Sequence, residues 1–415
     1  MEHLQQLKKQ FITFELNSDF FLLVDLIQTP FNYHTWSCIS PRAKLASVVV
    51  NIVMALQVIC ATVQLCLVMQ DETRDVDRMV PMFDQEYIFL VSLARMGFVI
   101  YHRRSIETLK KYINSKVCLR NNAEAFELRS KNHGNNLKCV ALFQFIACFN
   151  TTFWIFACVL KVDDLKIPFV LDYLPKSVGF LVKTIHGFVF QFWPIVFNVS
   201  LMQFGVILSC LHTELDVIVL LFKDVQRKVK LFCSEERTIS NNHNRTRTDQ
   251  SWHELKETFD DVLTHHSAFV RNFNRFKAIA STNLLCLLAS TPATVILNLI
   301  MFLNGFLLER VTLLLFAIMT STEIFIFCLL LDRVQTKNNE IAEYASMLDW
   351  FYCSNLRRQG KSAKAILQNG LFLQAQLNTE LTVKAGNTIP VNFESFAEFI
   401  KLVYSVVTFC FKSLF

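Results

Sequence analysis

Apolar residues along this chain are concentrated in long blocks separated by polar stretches, rather than spread as amphipathic stripes. A helix needs about 20 predominantly apolar residues to cross a bilayer, with a range of roughly 17 to 25. Seven blocks come near this length, at 46–69, 87–101, 140–160, 180–208, 278–303, 311–331 and 396–411. The second block carries Arg95, whose long side chain we expect to snorkel toward the His102, Arg103 and Arg104 cluster. The pattern predicts an all-α protein with seven transmembrane helices.

The helical pattern also continues outside the blocks. The fourth block keeps its 3.6-residue period to about 232, a second pattern from 252 leads directly into the fifth block, and a further helix is predicted from about 362 to 376. We expect these extensions to pack together on one side of the membrane as an anchor bundle. The predicted regions are an N-terminal segment 1–45, helices one to four 46–222, a loop with helices 223–277, helices five and six 278–332, an anchor helix with connector 333–392, and a last helix 393–415.

Three local features refine this organisation. Phe11, Phe14, Phe20 and Phe21 predict a short interfacial helix on the inner membrane surface. Gly386, Asn387 and Pro390 are expected to break the chain before the last helix, and Pro194 and Pro292 are expected to kink the fourth and fifth helices.

Positive charge alternates between the connections. The connection 69–86 holds two Arg and six acidic residues, whereas 103–138 holds nine Lys or Arg and three Glu, and the fourth and sixth connections are again basic. Cytoplasmic loops carry the excess of Lys and Arg. We therefore expect a cytosolic N-terminus and an extracellular C-terminus, the opposite of a G-protein-coupled receptor.

Composition agrees with a membrane protein, because 53% of the residues are apolar and only 18% are charged, against about 25% in soluble proteins. The 13 Cys lie mostly within the blocks and none lies in an outward loop, so no disulfide framework is expected. We expect no glycan on the sequons at Asn150, Asn198 and Asn244, since the first two lie within helices and the third in a cytosolic loop.

Motifs of catalysis are missing from the sequence. It contains no phosphate-binding loop, no GxSxG elbow and no HExxH, and the adjacent His265 and His266 point to different faces of a helix. Glu323 and Arg95 stand too isolated to suggest a membrane enzyme, and no internal repeat suggests a transporter. We expect no enzyme activity, no cofactor, no metal site and no nucleic-acid partner.

Several stretches resemble the insect odorant receptor family. They are the outer loop KIPFVLDYLP, the run CLHTELDVIVLLF, the MLDW stretch, the Ala375-Gln376 pair, LTVKAGNTIPVNFESF, and Tyr404-Ser405 followed by Thr408. The resemblance spans most of the chain, with the first 80 residues adding little. The related gustatory receptors end in a Thr-Tyr…Gln-Phe pattern that Tyr404-Ser405 and Phe411-Lys412 do not match, although a gustatory-type channel acting without a co-receptor stays the alternative.

This resemblance implies a function. Members of the family are odorant-gated, non-selective cation channels of the plasma membrane of sensory dendrites, in which a ligand-tuned subunit assembles with a shared co-receptor, as a tetramer around one pore. The last helix lines the pore, which would explain why an apolar helix carries Glu394, Glu398, Lys401 and Lys412. Glu398 and Lys401 are also spaced to pair on one helix face.

The resemblance also places a gate and a pocket. Val406 and Phe409 fall at the family's hydrophobic constriction, with Lys412 one turn further out, although Val406 and Phe409 could instead pack against a neighbouring helix. Because Lys412 repels cations and Phe409 crowds the axis, we expect a poor homomeric channel that depends on the co-receptor. The ligand is a volatile small molecule, expected in the outer half of the bundle in a mostly apolar pocket. Its candidate residues are Tyr87, Leu90, Asn150, Phe153, Trp154, His186, Gly187, Phe190, Phe316, Met319 and Thr320. Ordinary helix packing is the alternative role for each of them.

Overall fold

The computed structural model describes residues 14–31, 41–70, 76–160, 175–238, 245–304, 307–347, 368–370 and 381–414. Its elements are almost all helical, as the hydropathy pattern predicts. The helices are α1 (Leu22–Gln28), α2 (Pro41–Gln70), α3 (Val76–Tyr101), α4 (Arg103–Ser115), α5 (Ala123–Leu160), α6 (Lys176–Phe190), α7 (Trp193–Phe197), α8 (Val206–Thr238), α9 (Arg245–Asn304), α10 (Leu307–Met347) and α11 (Phe393–Leu414). A 3₁₀ turn at Thr29–Phe31, a π-helix at Leu201–Gly205 and the short strands β1 (Lys384–Ala385) and β2 (Ile389–Pro390) complete the described elements.

Five helical segments in the described part of the chain are long and apolar enough to cross a membrane, at Lys44–Gln70, Ala123–Phe156, Ser177–Lys228, His253–Phe302 and Arg310–Ala345. They contain the predicted first, fourth and sixth crossings and most of the third and fifth. The second and seventh predicted crossings fall within α3 and α11, which have 26 and 22 residues, a length that can span a bilayer. In their most apolar stretches both helices carry more charged side chains than the five segments above do in theirs, and their crossing of the membrane stays a prediction. The all-α, multi-helix membrane class is therefore confirmed.

The helical extensions predicted for the fourth and fifth crossings are present. Helix α9 runs for 60 residues without interruption, so the pattern from 252 and the fifth block form one element that continues past Pro292. Its core-facing side carries Phe259, Phe269, Phe273 and Phe276, all fully buried, where α9 packs against α8 and α10. The predicted helix from 362 to 376 lies outside the described residues except for 368–370, which are helical.

A buried ion pair joins α5 to α8 in this region. The guanidinium of Arg129 donates from Nε to Glu214 Oε1 at 2.8 Å and from Nη2 to Glu214 Oε2 at 2.7 Å. Nη2 also donates to the carbonyl of Cys118 at 2.8 Å, so the connection before α5 is held as well. This two-pronged geometry is the one that Arg and a carboxylate favour when water is excluded.

The N-terminal segment packs inside the protein, which differs from the predicted interfacial helix. Phe20 and Phe21 are buried, and Lys116 holds this segment through the carbonyls of Leu16 and Ser18. Burial lowers the pKa of Lys116 to about 8. Helix α4 and the residues after it thus supply a protein surface for these aromatic rings, so Phe20 and Phe21 do not face lipid. Phe11 lies outside the described residues.

The fourth block is interrupted, whereas the sequence predicts one helix with a kink at Pro194. Helix α6 ends at Phe190, and Pro194 lies in the first turn of the separate helix α7, where proline is tolerated. The π-helix Leu201–Gly205 follows before α8 begins. The predicted fourth crossing is therefore divided among α6, α7, the π-helix and α8.

The predicted break before the last helix is a hairpin, in which β1 pairs with β2. Gly386 and Asn387 have φ of +58° and 62°, and the amide of Gly386 donates to the carbonyl of Ser281 on α9 at 3.0 Å. A Cβ on Gly386 would lie 2.8 Å from Cδ2 of Leu285. The positive φ therefore favours glycine here, and a Cβ would also force the Leu285 side chain to shift. The hairpin attaches the start of α11 to α9.

Candidate functional site

A cavity lies between α3, α5, α6, α7, α9 and α10. It encloses about 830 Å³ of atom-free space, including the space at its mouth. The described residues in its wall are Pro81, Asp84, Gln85, Ile88, Ala147, Asn150, Thr151, Trp154, Phe190, Trp193, Pro194, Phe197, Asn198, Asn298, Met301, Thr312, Leu313, Phe316 and Met319. A concave, mainly apolar cavity between helices of a bundle is typical of a small-molecule site.

Aromatic rings from neighbouring helices form much of this wall. Trp154 of α5 stacks on Phe190 of α6 with ring centroids 4.8 Å apart, and Phe197 of α7 lies 5.3 Å from Phe316 of α10. Trp193 stacks on Phe89 at 4.1 Å, and its indole Nε1 donates to Gln57 Oε1 at 2.8 Å. Because that hydrogen bond satisfies the polar atom of Trp193, the ring is held in a fixed position beside the cavity.

Five buried polar side chains interrupt the apolar wall in the described residues, namely Asp84, Asn150, Asn198, Asn298 and Thr312, and three of them carry an unpaired atom. Asp84, Asn150 and Asn198 are 4%, 7% and 2% exposed. Asp84 Oδ1, Asn150 Oδ1 and Asn198 Nδ2 have no hydrogen-bond partner in the described part of the chain. None of the described wall residues is Lys, Arg or His.

Five of the sequence-predicted pocket residues lie together in this wall, namely Asn150, Trp154, Phe190, Phe316 and Met319. The structure thus brings residues from α5, α6 and α10 to one cavity. Their binding role stays a prediction.

The other predicted pocket residues lie elsewhere. Leu90 and Phe153 are 54% and 38% exposed on the outer surface. Tyr87 donates from its hydroxyl to the carbonyl of Ser290 at 3.3 Å. Thr320 is buried and donates to carbonyls of its own helix. His186 and Gly187 lie on α6 outside the wall, where the carbonyl of His186 accepts from Gln57 Nε2 at 3.0 Å.

Sequence reasoning missed most of the polar and several of the aromatic wall residues. Asp84 was assigned to an acidic connection, but α3 begins at Val76 and carries Asp84 inward. Asn150 and Asn198 are the two sequons in helices, and their burial agrees with the expectation that they carry no glycan, while Asn244 lies outside the described residues. A usable signal was present in Asp84, because a 3.6-residue pattern extended back from 87 places it in line with Ile88.

Directly beside the cavity, Arg95 and Glu323 form a buried ion pair between α3 and α10. Arg95 Nη1 donates to Glu323 Oε2 at 2.7 Å and to the carbonyl of Phe197 at 3.1 Å, and both charged side chains are 1% exposed. The Arg95 guanidinium also lies 4.2 Å from the centroid of the Phe197 ring. The predictions that Arg95 snorkels to the interface and that the two residues are isolated are therefore wrong, because each neutralises the other inside the bundle.

Helix α11 packs on its own chain through one face only. Phe399 and Val403 are buried, and Phe396 and Val407 pack against the same core. The opposite face carries Glu398, Lys401, Ser405, Phe409 and Lys412, all exposed in this chain. Lys401 donates to Glu398 at 2.7 Å, which confirms the pairing expected from their spacing.

The three predicted gate residues occupy different positions on α11. Val406 is half-buried at the edge of the packed face, whereas Phe409 is 70% exposed and Lys412 is exposed. Phe409 therefore leaves most of its ring outside the packing of this chain.

Metal binding finds no support in the described residues. No group of three or more His, Cys, Asp or Glu is arranged to hold a metal ion there. His266 is buried in α9 and His265 is half-buried, so the two rings do not share one face. The described cysteines are free thiols.

Comparison with known proteins gives two consistent findings. A family model described as 7tm odorant receptor matches residues 82–404. This chain is similar to two solved structures of the insect olfactory receptor OR5 from Machilis hrabei, each with a TM-score of 0.69 and 13% identity. One of them is the receptor in complex with eugenol. They cover 94% of this chain, which covers 97% and 99% of theirs. No match was found among curated proteins.

Proposed function

Since the chain belongs to the 7tm odorant receptor family, whose model matches residues 82–404, we propose that it is the odorant-binding subunit of a ligand-gated, non-selective cation channel. In this proposal it assembles with a shared odorant co-receptor, as a tetramer, in the plasma membrane of a sensory dendrite. The N-terminus lies in the cytosol and the C-terminus outside. The ligand is a volatile small molecule.

The observation that carries the channel part of the proposal is the one-sided packing of α11. Exposed charged residues on a lipid-facing helix are costly, whereas they are tolerated on a helix that faces water or protein. Glu398 and Lys401 have side chains 65% and 70% exposed in this chain, on the face opposite Phe399 and Val403. A water-filled pore bounded by other subunits is an environment in which this face is stable.

Phe409 and Val406 would narrow such a pore. A ring of apolar side chains blocks ions by excluding water, and widening it restores conduction. The exposure of Phe409 leaves its ring available to other subunits, and Lys412 lies one turn away on the exposed face. Four copies of Phe409 and Lys412 around one axis would crowd the pore and repel cations, which is why the proposal includes co-receptor subunits.

The ligand part of the proposal rests on the cavity between α3, α5, α6, α7, α9 and α10. Its wall is aromatic and aliphatic apart from a few buried polar groups, which is the composition that binds a small volatile molecule by shape and stacking. One of the similar solved structures is an olfactory receptor in complex with eugenol. A site of the same general kind is proposed here, with its own side chains.

Whole-cell recording tests this function. Three kinds of cell are compared: cells that express this chain alone, cells that express it together with the odorant co-receptor, and cells that express the co-receptor alone. Each is exposed to a broad panel of volatiles. We expect odorant-evoked cation currents only in the co-expressing cells, with a response pattern absent from the co-receptor control. Robust currents from this chain alone would contradict the argument from Phe409 and Lys412 and favour the gustatory-type alternative.

Membrane orientation is tested separately by accessibility. An epitope after the last helix should be labelled on intact cells, whereas one at the N-terminus should need permeabilisation. The reverse pattern would refute the proposed orientation without bearing on ligand binding.

A further inference from the structure

The cavity wall contains buried polar atoms without a hydrogen-bond partner, which a purely apolar ligand could not satisfy. Asp84 Oδ1 and Asn150 Oδ1 are acceptors, Asn198 Nδ2 is a donor, and none of the three has a partner in the described part of the chain. All three side chains are more than nine-tenths buried. Buried polar atoms are rarely left unpaired in native proteins, so each such group requires an explanation.

Asp84 is the most demanding of the three groups. A carboxyl group transferred from water to an apolar environment is unfavourable unless it is paired or hydrogen-bonded. The buried ion pair of Arg95 does not relieve it, because Arg95 lies three helical turns away from Asp84 on α3. Arg95 donates to Glu323 and to the carbonyl of Phe197 instead. The described cavity wall contributes no basic side chain, so the missing partner of Asp84 must come from the cavity contents.

The remaining wall defines the rest of the occupant. Trp154, Phe190 and Phe316 offer aromatic faces, while Met301, Leu313 and Met319 offer flexible apolar surface. An occupant that satisfies the whole site therefore has an apolar body that packs on these side chains and one polar group that donates a hydrogen bond.

We propose that this cavity selects small apolar molecules that carry a hydrogen-bond donor, an alcohol or an amine, and that Asp84 is the specificity-determining residue that accepts this donor. The inference rests on the proposed odorant-binding function and specifies its ligand class. A hydroxyl group or a protonated amine can donate to Asp84, and the amine additionally neutralises the carboxylate. Ketones and esters offer no donor to the Asp84 carboxylate, and hydrocarbons offer it no polar group at all.

Three ligands with the same number of heavy atoms test the inference. They are 2-phenylethanol, 2-phenylethylamine and propylbenzene, which differ in the terminal hydroxyl, amine or methyl group. Binding to the purified full-length chain in detergent is followed by quenching of tryptophan fluorescence, since Trp154 and Trp193 lie in the cavity wall. This readout does not require channel assembly.

The wild-type chain should bind the alcohol and the amine about 10- to 100-fold more tightly than propylbenzene, the range expected for one hydrogen bond to a charged group. Asp84→Leu removes the acceptor and should abolish the preference for both donors. Asp84→Asn keeps an acceptor without the charge, so it should weaken the amine more than the alcohol.

Glu86 provides a matched control on the same helix. It is 7% exposed, its Oε1 accepts from Thr62 at 2.7 Å, and it does not line the cavity. Glu86→Gln should therefore leave the preference unchanged. Size-exclusion elution and the thermal unfolding midpoint verify that each variant is folded. Asp84→Leu should not lower the midpoint, because it removes a buried carboxyl that has no hydrogen-bond partner for Oδ1.

Three outcomes would overturn the inference. They are equal binding of propylbenzene and the donors, a donor preference that survives in Asp84→Leu, and no quenching by any of the three ligands. The first is expected if ordered water satisfies Asp84 in place of a ligand. Donor preference without odorant-evoked currents would instead contradict the proposed function alone, and odorant-evoked currents without donor preference would contradict this inference alone.

Discussion

The buried pair of Arg95 and Glu323 allows a quantitative test of how the bundle is held together beside the cavity. The two residues are 228 positions apart in the chain and connect α3 to α10 across a 2.7 Å contact with both side chains 1% exposed. Removing one member of a buried ion pair leaves an uncompensated charge and costs about 3 to 5 kcal/mol. Glu323→Leu should therefore destabilise the protein strongly, because Arg95 stays charged.

The double variant Arg95→Met/Glu323→Leu gives the opposite expectation. Replacing both charges by apolar groups of similar volume is often neutral or stabilising, since the cost of removing the charges from water disappears. We expect its stability to lie within about 1 kcal/mol of the wild type, the scale on which volume-conserving apolar substitutions act. Together with the single variants Arg95→Met and Glu323→Leu, the double variant forms a double-mutant cycle. The coupling free energy from this cycle measures the interaction between the two side chains.

Thermal unfolding of the purified chain in detergent measures these differences, followed by tryptophan fluorescence and by loss of the monodisperse elution peak. Glu398→Leu is the matched control, because Glu398 pairs with Lys401 at the same distance of 2.7 Å but with side chains 65% and 70% exposed. It should change the midpoint little, since exposed ion pairs contribute little. The reasoning is refuted if Glu323→Leu and Glu398→Leu shift the midpoint equally, or if the double variant is no more stable than Glu323→Leu.

Three further predictions concern other parts of the molecule. Arg129→Met should cost about 3 to 5 kcal/mol because it strands the buried carboxylate of Glu214, whereas Arg129→Met/Glu214→Leu should recover most of that loss; equal thermal midpoints for the two would contradict this. Gly386→Ala should lower stability by more than about 1 kcal/mol, since φ is +58° and the new Cβ meets a neighbour at 2.8 Å; an unchanged midpoint would show that the hairpin relaxes freely. Phe409→Ala should raise the unliganded current of co-expressing cells. Tyr404→Ala is the control and should leave that current unchanged, because the Tyr404 ring is similarly exposed (72% against 70%) but is not assigned to the constriction. Equal effects of the two substitutions would remove Phe409 from the gate.

The sequence predicted the helical membrane class and most of the crossings. A run of about 20 apolar residues is long enough to cross the bilayer as a helix, whatever neighbours it packs against. The extension of the fifth crossing into α9 and the break at Gly386 were predicted for similarly local reasons, a sustained 3.6-residue period and a residue that tolerates positive φ. The pairing of Glu398 with Lys401 followed from their separation on one helix. Each of these inferences needs information from only one segment.

The cavity was predicted in part, since aromatic blocks in the third, fourth and sixth crossings indicated which helices would contribute. Five predicted residues reached the wall and six did not, because the face that a helix turns toward its neighbours depends on how the neighbours are rotated. Leu90 shows this directly, as it lies two residues beyond the wall residue Ile88 and faces the outer surface. The interruption between α6 and α7 added Trp193 and Phe197, which no pattern in the block distinguished from helix packing.

Only the tertiary structure decided which groups from distant parts of the chain come into contact. Arg95 reached Glu323 instead of the membrane surface, the N-terminal aromatic rings packed on protein instead of lipid, and Asp84 entered the cavity wall instead of an acidic loop. The physical reason is common to all three. Hydropathy measures the preference of a segment for water or apolar surroundings, whereas the state of a charge depends on distances of a few ångströms to residues far away in the chain.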